Sequence, residues 1–204
     1  MSQRALPRSR SRTGLVAVLV TVVVLGLATA VILPLRERSK IPFLPPSTRC
    51  QATLDDGRTA TLDLEQARNA SLIAGIATSR YLEPRATSIA LATAFQESDI
   101  RNLDYGDLDS LGIFQQRPAA GWGTPEEIMD PYYSTNAFFD ALVKLADWQT
   151  ADIGVIAQEI QRSAYPDAYD KHVDRARILA SVLTGETAAG WTCHVRDPAA
   201  ADPA

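Results

Sequence analysis

The chain has 204 residues, 46% of them hydrophobic, and a formal net charge of −4. That length fits one domain with an additional segment, or two very small domains. The charge is unevenly placed, because residues 1–49 carry a net +7 whereas residues 50–204 carry a net −11. A folded part this acidic repels phosphate backbones, which excludes nucleic acid as a partner.

The first segment is an uncharged, valine-rich run, GLVAVLVTVVVLGLATAVIL. A helix rises ~1.5 Å per residue, so a run of this length crosses the ~30 Å hydrocarbon core of a bilayer. We predict a transmembrane signal anchor over 14–35, preceded by a cytoplasmic basic tail over 1–13. A cleavable signal peptide is the alternative, because Ala28-Thr29-Ala30 has the small-x-small form of a cleavage site. The apolar run continues past that triplet, which favours an uncleaved anchor.

Four arginines in the first twelve residues place the N-terminus inside the cell, by the positive-inside rule. Residues 36–49 are basic and contain three prolines. Such a composition is typical of a short, semi-rigid stalk. We therefore expect a single-pass protein of the cell membrane, with its acidic domain on the extracytoplasmic side.

Cys50 and Cys193 lie near the two ends of the acidic part. A disulfide between them would tie the domain's termini together and would require an oxidising compartment, whereas two buried thiols are the alternative. Together with His172 and His194 they are too few for a four-ligand structural zinc site without carboxylates. We expect neither a metal nor a cofactor.

The acidic part begins with alternating residues interrupted by Asp56-Gly57, which predicts a small β-hairpin. From Asp63 onward the apolar spacing becomes helical, and either Asp63 or Thr61 caps the first helix. Pro84 suits the first turn of the next helix.

Three further helices follow in the second half of the chain. We predict that they begin at Ser134 or Thr135, at Asp152 and at Pro166. The first of these would run through NAFFDALVKLADW, and Gly185 would stop the last one. The predicted fold class is mainly α: a single domain over 50–196 with five or six helices and a small β-hairpin, preceded by one transmembrane helix and followed by a disordered tail over 197–204.

One helix is unusual because no charged side chain occurs from Ala86 to Gln96. A helix that is apolar on nearly all faces lies in a core. The next charge is Glu97, and a carboxylate at the edge of such a helix loses solvation, so its pKa should rise. That environment keeps a carboxylic acid protonated and able to donate a proton. The alternative is an ordinary glutamate at a helix end, exposed or paired with Arg101.

Two motifs carry a resemblance to a known family. Glu97-Ser98, a polar loop and then Leu111-Gly112-Ile113-Phe114-Gln115-Gln116 resemble the signature pieces of the lysozyme-like lytic transglycosylases. The wider stretch over 96–142 is similar to small membrane-anchored actinobacterial cell-wall proteins. A third piece, Ala164-Tyr165, departs from the family's Ala-Tyr-Asn-Ala-Gly, because Pro166-Asp167 follows it.

The resemblance implies a lysozyme-like fold and a general acid/base, Glu97, acting on a β-1,4 glycosidic bond of peptidoglycan. Gly112 would let a glycan strand approach closely, since glycine has no Cβ. Gln115 would offer an amide at the cleft. The substrate-binding residues implied in this way are Ser98, Gly112, Gln115, Gln116 and Tyr165.

A second carboxylate is a separate question, since most glycosidases use two. The loop after Glu97 contains Asp99, Asp104, Asp107 and Asp109. These residues are typical of a solvated surface, of caps and turns, or of a second catalytic acid. Their spacing does not fit a calcium-binding EF-hand loop.

The sequence thus predicts an anchored enzyme that cleaves peptidoglycan glycan strands, its partners being those strands and the membrane. The alternative is a lysozyme-fold domain that binds peptidoglycan as a scaffold without cutting it. Both remain open at this stage because a fold does not determine an activity.

Overall fold

The computed structural model describes residues 48–162 and 167–194. The basic tail, the signal anchor, nearly all of the stalk and the C-terminal tail predicted above lie outside the described residues. Within the described ranges, no helix has the length and apolar character needed to cross a membrane. What the structure describes is mainly helical with a small β-sheet, which confirms the coarse fold class.

The sheet opens the domain with the predicted hairpin. Strands β1 (Arg49–Thr53) and β2 (Thr59–Asp63) pair antiparallel, and Gly57 turns the chain between them with a φ of +85°. A third strand, β3 (Trp191–His194), pairs antiparallel with the other side of β1, so the strand order is β2-β1-β3. This last strand was not predicted, because four mostly exposed residues carry no alternating apolar pattern.

The disulfide lies in this sheet. Cys50 of β1 stands opposite Cys193 of β3, and the two sulfurs are bonded. The bond joins residues 143 positions apart in the sequence, at the start and the end of the domain. The predicted pairing is therefore confirmed, and the two-thiol alternative does not hold.

Helices α1 (Leu64–Ser79) and α2 (Pro84–Ser98) begin where the sequence predicted. The Asp63 side chain accepts a hydrogen bond from the Gln66 backbone, and the Gln66 side chain accepts one from the Asp63 backbone, which forms a capping box. Pro84 occupies the first turn of α2. The predicted apolar positions of α1 are all buried: Ala67, Ala70, Ile73, Ala74 and Ala77.

The helix predicted to begin at Ser134 or Thr135 and to run to Trp148 starts earlier and ends earlier, at Leu142, which corrects both bounds. After the short α3 (Pro125–Ile128), helix α4 runs over Pro131–Leu142. The Asp130 side chain caps it by accepting from the Tyr132 backbone at 2.9 Å. Ser134 and Thr135 are buried inside the helix instead. Asp130 and Pro131 together form the stronger start signal, because the aspartate caps the helix and the proline ring holds φ near its helical value.

Helix α5 (Ile153–Gln161) follows Asp152 as predicted, and α6 covers Asp170–Leu183. Pro166, the predicted first residue of the last helix, lies outside the described residues, but residues 167–169 form a turn, so this helix begins later than predicted. Gly185, with a φ of +86°, follows the end of α6. Helix α2 is the centre of the domain, because α6 packs against it most extensively and α1 and α5 also contact it.

The disulfide should contribute much of the domain's stability. In the chain-entropy description, a cross-link that closes a loop of more than 100 residues stabilises the folded state by about 5 kcal/mol. We expect Cys50→Ser with Cys193→Ser to lower the free energy of unfolding by roughly that amount in a denaturant titration. In the unreduced wild type, alkylation of both cysteines after unfolding would contradict the pairing.

Candidate active site

Helix α2 delivers Glu97 to the edge of the core. Every residue from Ala86 to Phe95 is buried, whereas Glu97 is only partly buried, one position before the helix ends. Asp99 then adopts a left-handed conformation with a φ of +54°. The Ile100 backbone N–H donates to the Ala94 carbonyl at 2.9 Å, which closes the last turn. The carboxyl group is therefore carried by a rigid, well-terminated helix.

Glu97 lies in an open cleft of about 1060 Å³. The other walls come from the loop before the 111–116 segment, the turn after it, the end of α4 and the end of α5. Polar, charged and aromatic side chains line the cleft, among them Asp107, Gln115, Trp122, Tyr133, Lys144 and Glu159. This volume lies at the upper end of the range of ligand-binding pockets, so the cleft has room for a ligand larger than a single sugar ring.

A tyrosine holds the carboxyl group of Glu97. The Tyr169 hydroxyl donates to Glu97 Oε1 at 2.6 Å, and Tyr169 is only 1% exposed. Tyr169 immediately precedes α6, so the helix that packs against α2 also supplies the residue that orients its carboxyl. Gln161, the last residue of α5, donates its amide to the Phe114 carbonyl at 2.7 Å and also lies close enough to the Glu97 carboxyl to favour its charged form.

These contacts act on the pKa of Glu97 in opposite directions. Burial, the largest effect, raises the pKa because it disfavours the charged carboxylate. The hydrogen bonds from Tyr169 and Gln161 lower it, since both favour the charged form. Burial prevails, and the net pKa lies above the ordinary value for glutamate, as the sequence predicted.

The alternative in which Arg101 neutralises Glu97 is wrong. The Arg101 side chain forms its ion pairs with Asp63 and with Glu65, the latter at 2.8 Å. The Arg101 backbone N–H also donates to the Ser98 hydroxyl at 3.1 Å. Arg101 therefore ties the end of α2 to the start of α1 and leaves the carboxyl to Tyr169 and Gln161.

The predicted substrate-binding residues separate into two groups. Ser98 is buried, and its hydroxyl donates to the Ile113 carbonyl at 2.7 Å. Gly112 is buried too, with a φ of +77°, and a Cβ there would lie 2.8 Å from the Ile128 carbonyl oxygen. The structure thus gives both residues a part in holding the 111–116 segment against α2 and α3. The close approach at Gly112 is to Ile128 of this same chain.

The two glutamines also differ. Gln115 lines the cleft, and its amide donates to the Gly112 carbonyl at 3.2 Å and to the Tyr105 carbonyl at 3.3 Å. Gln116 is 1% exposed, and its amide donates to the Ser134 carbonyl of α4. Of this pair, only Gln115 is placed beside a ligand in the cleft. Tyr165, the remaining predicted contact, lies outside the described residues.

The acidic loop has three different uses. Asp109 pairs with Arg117 at 2.5 Å, and Asp99 ends α2. Asp107 lines the cleft with Glu97. In the described part of the chain, no group of three or more histidine, cysteine or carboxylate side chains is placed to hold a metal ion.

Sequence reasoning did not find the contacts that orient Glu97. Neither Tyr169 nor Gln161 belongs to a motif that the sequence analysis identified. Tyr169 is 72 residues from Glu97 in the sequence, so no local spacing connects the two. Only the packing of α6 against α2 brings them together.

Comparison of the chain with protein-family models gives no match, and a search of curated proteins finds no match either. The site is therefore described from the structure alone. It consists of a partly buried carboxyl group of raised pKa that a buried tyrosine orients, in an open cleft of a small helical domain.

The raised pKa has a consequence for stability. A carboxyl whose pKa is higher in the folded state stabilises the fold at low pH, and that contribution is lost as the pH rises through the folded-state pKa. We expect Glu97→Gln, which cannot ionise, to unfold at a higher denaturant concentration than wild type at neutral pH. The difference between the two denaturant midpoints should disappear at acidic pH, where Glu97 is protonated in both the folded and the unfolded state. Glu186→Gln, on an exposed turn, is the matched control; identical behaviour of the two variants would contradict the burial of Glu97.

Proposed function

We propose that this protein is a membrane-anchored enzyme with a lysozyme-like fold that cleaves the glycan strands of peptidoglycan on the extracytoplasmic side. The observation that carries the proposal is Glu97: a carboxyl of raised pKa, held in an open cleft at the end of a buried helix. The disulfide supports the location, because such bonds persist in oxidising compartments. The motifs around Glu97 and the 111–116 segment support the substrate.

The proposed reaction uses Glu97 twice. Protonated Glu97 gives its proton to the glycosidic oxygen as the bond from that oxygen to C1 of the muramyl residue breaks. The muramyl 6-hydroxyl then bonds to C1 and closes a 1,6-anhydro ring, and the Glu97 carboxylate takes the proton that this hydroxyl releases. If water attacks C1 instead, the same proton transfers give hydrolysis and a reducing end.

Other cleft residues fit a sugar ligand. Trp122 is partly buried against the core and lines the cleft, where an indole face provides apolar contact for a pyranose ring. The Gln115 side chain supplies an amide in the same cleft. The Gln115 backbone is itself held in a left-handed conformation, with a φ of +47°. A Cβ at Gly106 would overlap the Gln115 amide oxygen, so the neighbouring loop fixes this side chain closely.

A scaffold that binds peptidoglycan without cutting it is the second candidate. It is favoured by Ser98 and Gln116, two predicted substrate contacts that are buried, because the Ser98 hydroxyl and the Gln116 amide nitrogen donate to backbone carbonyls of this chain. Under this alternative the cleft binds glycan, and Glu97 contributes a hydrogen bond to it.

Digestion of purified peptidoglycan separates the two candidates. We expect the full-length wild type in detergent to release anhydro-muramyl products, identified by mass spectrometry. Glu97→Gln should lower the rate by about 100-fold or more, since it removes the general acid. Reducing ends in place of anhydro ends would identify a hydrolase and make Asp107 and Glu159 the next residues to change. Retained binding to peptidoglycan without any product from wild type would instead support the scaffold.

Tyr169→Phe tests how the carboxyl group is tuned. Loss of the phenol removes a hydrogen bond that lowers the pKa of Glu97, so that pKa should rise further. The rate requires protonated Glu97 and falls as the pH rises through this pKa. We therefore expect the alkaline limb of the pH–rate profile to move to higher pH in Tyr169→Phe. A uniform loss of rate at every pH would show that Tyr169 acts only through folding.

A further inference from the structure

The cleft holds charges that an uncharged sugar chain does not require. Four acids and three bases line it, and one acid and one base among them form ion pairs with neighbours outside the cleft lining. Asp140 pairs with Arg80 at 2.6 Å, and Arg117 pairs with Asp109. Lys144 and Arg162 are different, since neither forms an ion pair with any residue that the structure describes.

These two cations come from separate walls of the cleft. Lys144 follows the end of α4, where its backbone N–H donates to the Ala141 carbonyl at 3.2 Å. Arg162 directly follows α5, one residue beyond Gln161, with a φ of +51°. Both side chains are exposed and share the cleft with Glu97. The folded part of this chain is strongly acidic, so it contains ample carboxylates that could have neutralised them.

Peptidoglycan carries its charge outside the sugar backbone. The alternating amino sugars are neutral, whereas the peptide stems on the lactyl groups of the muramyl residues bear carboxylates. A cation in a glycan-binding cleft therefore finds the stem's carboxylates where a stem is attached, and only the single lactyl carboxylate where it has been removed. Charge-assisted hydrogen bonds from lysine and arginine to carboxylates would supply that recognition.

Resting on the function proposed above, we infer that the cleft binds glycan strands whose muramyl residues still carry peptide stems, and that Lys144 and Arg162 bind the carboxylates of those stems. The protein would then act on native, peptide-bearing strands in preference to strands from which the peptides have been removed. Lys144 and Arg162 determine this specificity, and the proton transfers remain with Glu97.

Binding measurements test this independently of cleavage. The full-length chain in detergent, carrying Glu97→Gln so that no substrate is consumed, is titrated with soluble peptide-bearing strands. The second ligand is the same strands after an amidase has removed the stems, which leaves only the lactyl carboxylate. We expect about tenfold tighter binding to the peptide-bearing strands at low salt.

Lys144→Gln with Arg162→Gln should remove that preference while leaving binding to stripped strands nearly unchanged. Arg68→Gln, on the exposed face of α1, is the matched control and should retain the preference. Equal affinity of the parent for both ligands would overturn the inference. An equal loss for both ligands in the double variant would also overturn it, since the lactyl carboxylate would then be the partner. Neither outcome depends on catalysis, so an uncleaved substrate would count against the enzymatic proposal alone.

Discussion

The burial of helix α2 is the constraint on which the rest of the domain depends. Its residues from Ala86 to Phe95 are all buried, so α1, α5 and α6 must surround it. Such a helix can bear an ionisable group only where it reaches the protein's edge, and Glu97 is at that point. The raised pKa of Glu97 follows from this position, because its carboxyl is next to apolar packing and is only partly reached by water. The architecture of the core thus produces the property that makes the residue chemically useful.

The small sheet contributes to the site through α6. This helix packs on α2 on one side and contacts β1 and β2 on the other. Arg175 of α6 donates to the Thr61 carbonyl of β2 at 2.6 Å, and its guanidinium lies 4.1 Å from the ring centre of Phe95. These contacts fix the helix whose first turn is preceded by Tyr169. The disulfide holds β3 against β1 and so closes the same layer. The strands at the start and the end of this domain therefore help to position the Tyr169 hydroxyl beside Glu97.

The parts of this structure that the sequence predicted are those with a local signal. The Asp56-Gly57 turn, the Asp63 cap and the uncharged run before Glu97 each arise from residues within one turn or one helix. Strand β3 and Tyr169 could not be predicted, since each depends on a partner far along the chain. Gly112 shows a third case: the resemblance implied a close approach by a glycan strand, whereas the structure shows Ile128 of the same chain beside this glycine. Ser134 and Thr135 show a fourth case. They were predicted to cap helix α4, but the nearby Asp130-Pro131 pair starts the helix instead.

A partly buried glutamate of raised pKa does not improve the stability of this domain. At neutral pH its ionisation works against the fold, and an uncharged amide in the same place could accept the hydrogen bond from Tyr169 without that disadvantage. Local features that lower stability without structural compensation concentrate at functional sites. Here the disadvantage is only partly offset, because Tyr169 and Gln161 favour the charged form while burial opposes it. Burial outweighs the two hydrogen bonds, so the Glu97 carboxyl holds its proton to a higher pH than an ordinary glutamate, as a general acid requires. This balance favours a catalytic role for Glu97 over a purely structural one, and it is the physical reason for preferring the enzyme to the scaffold.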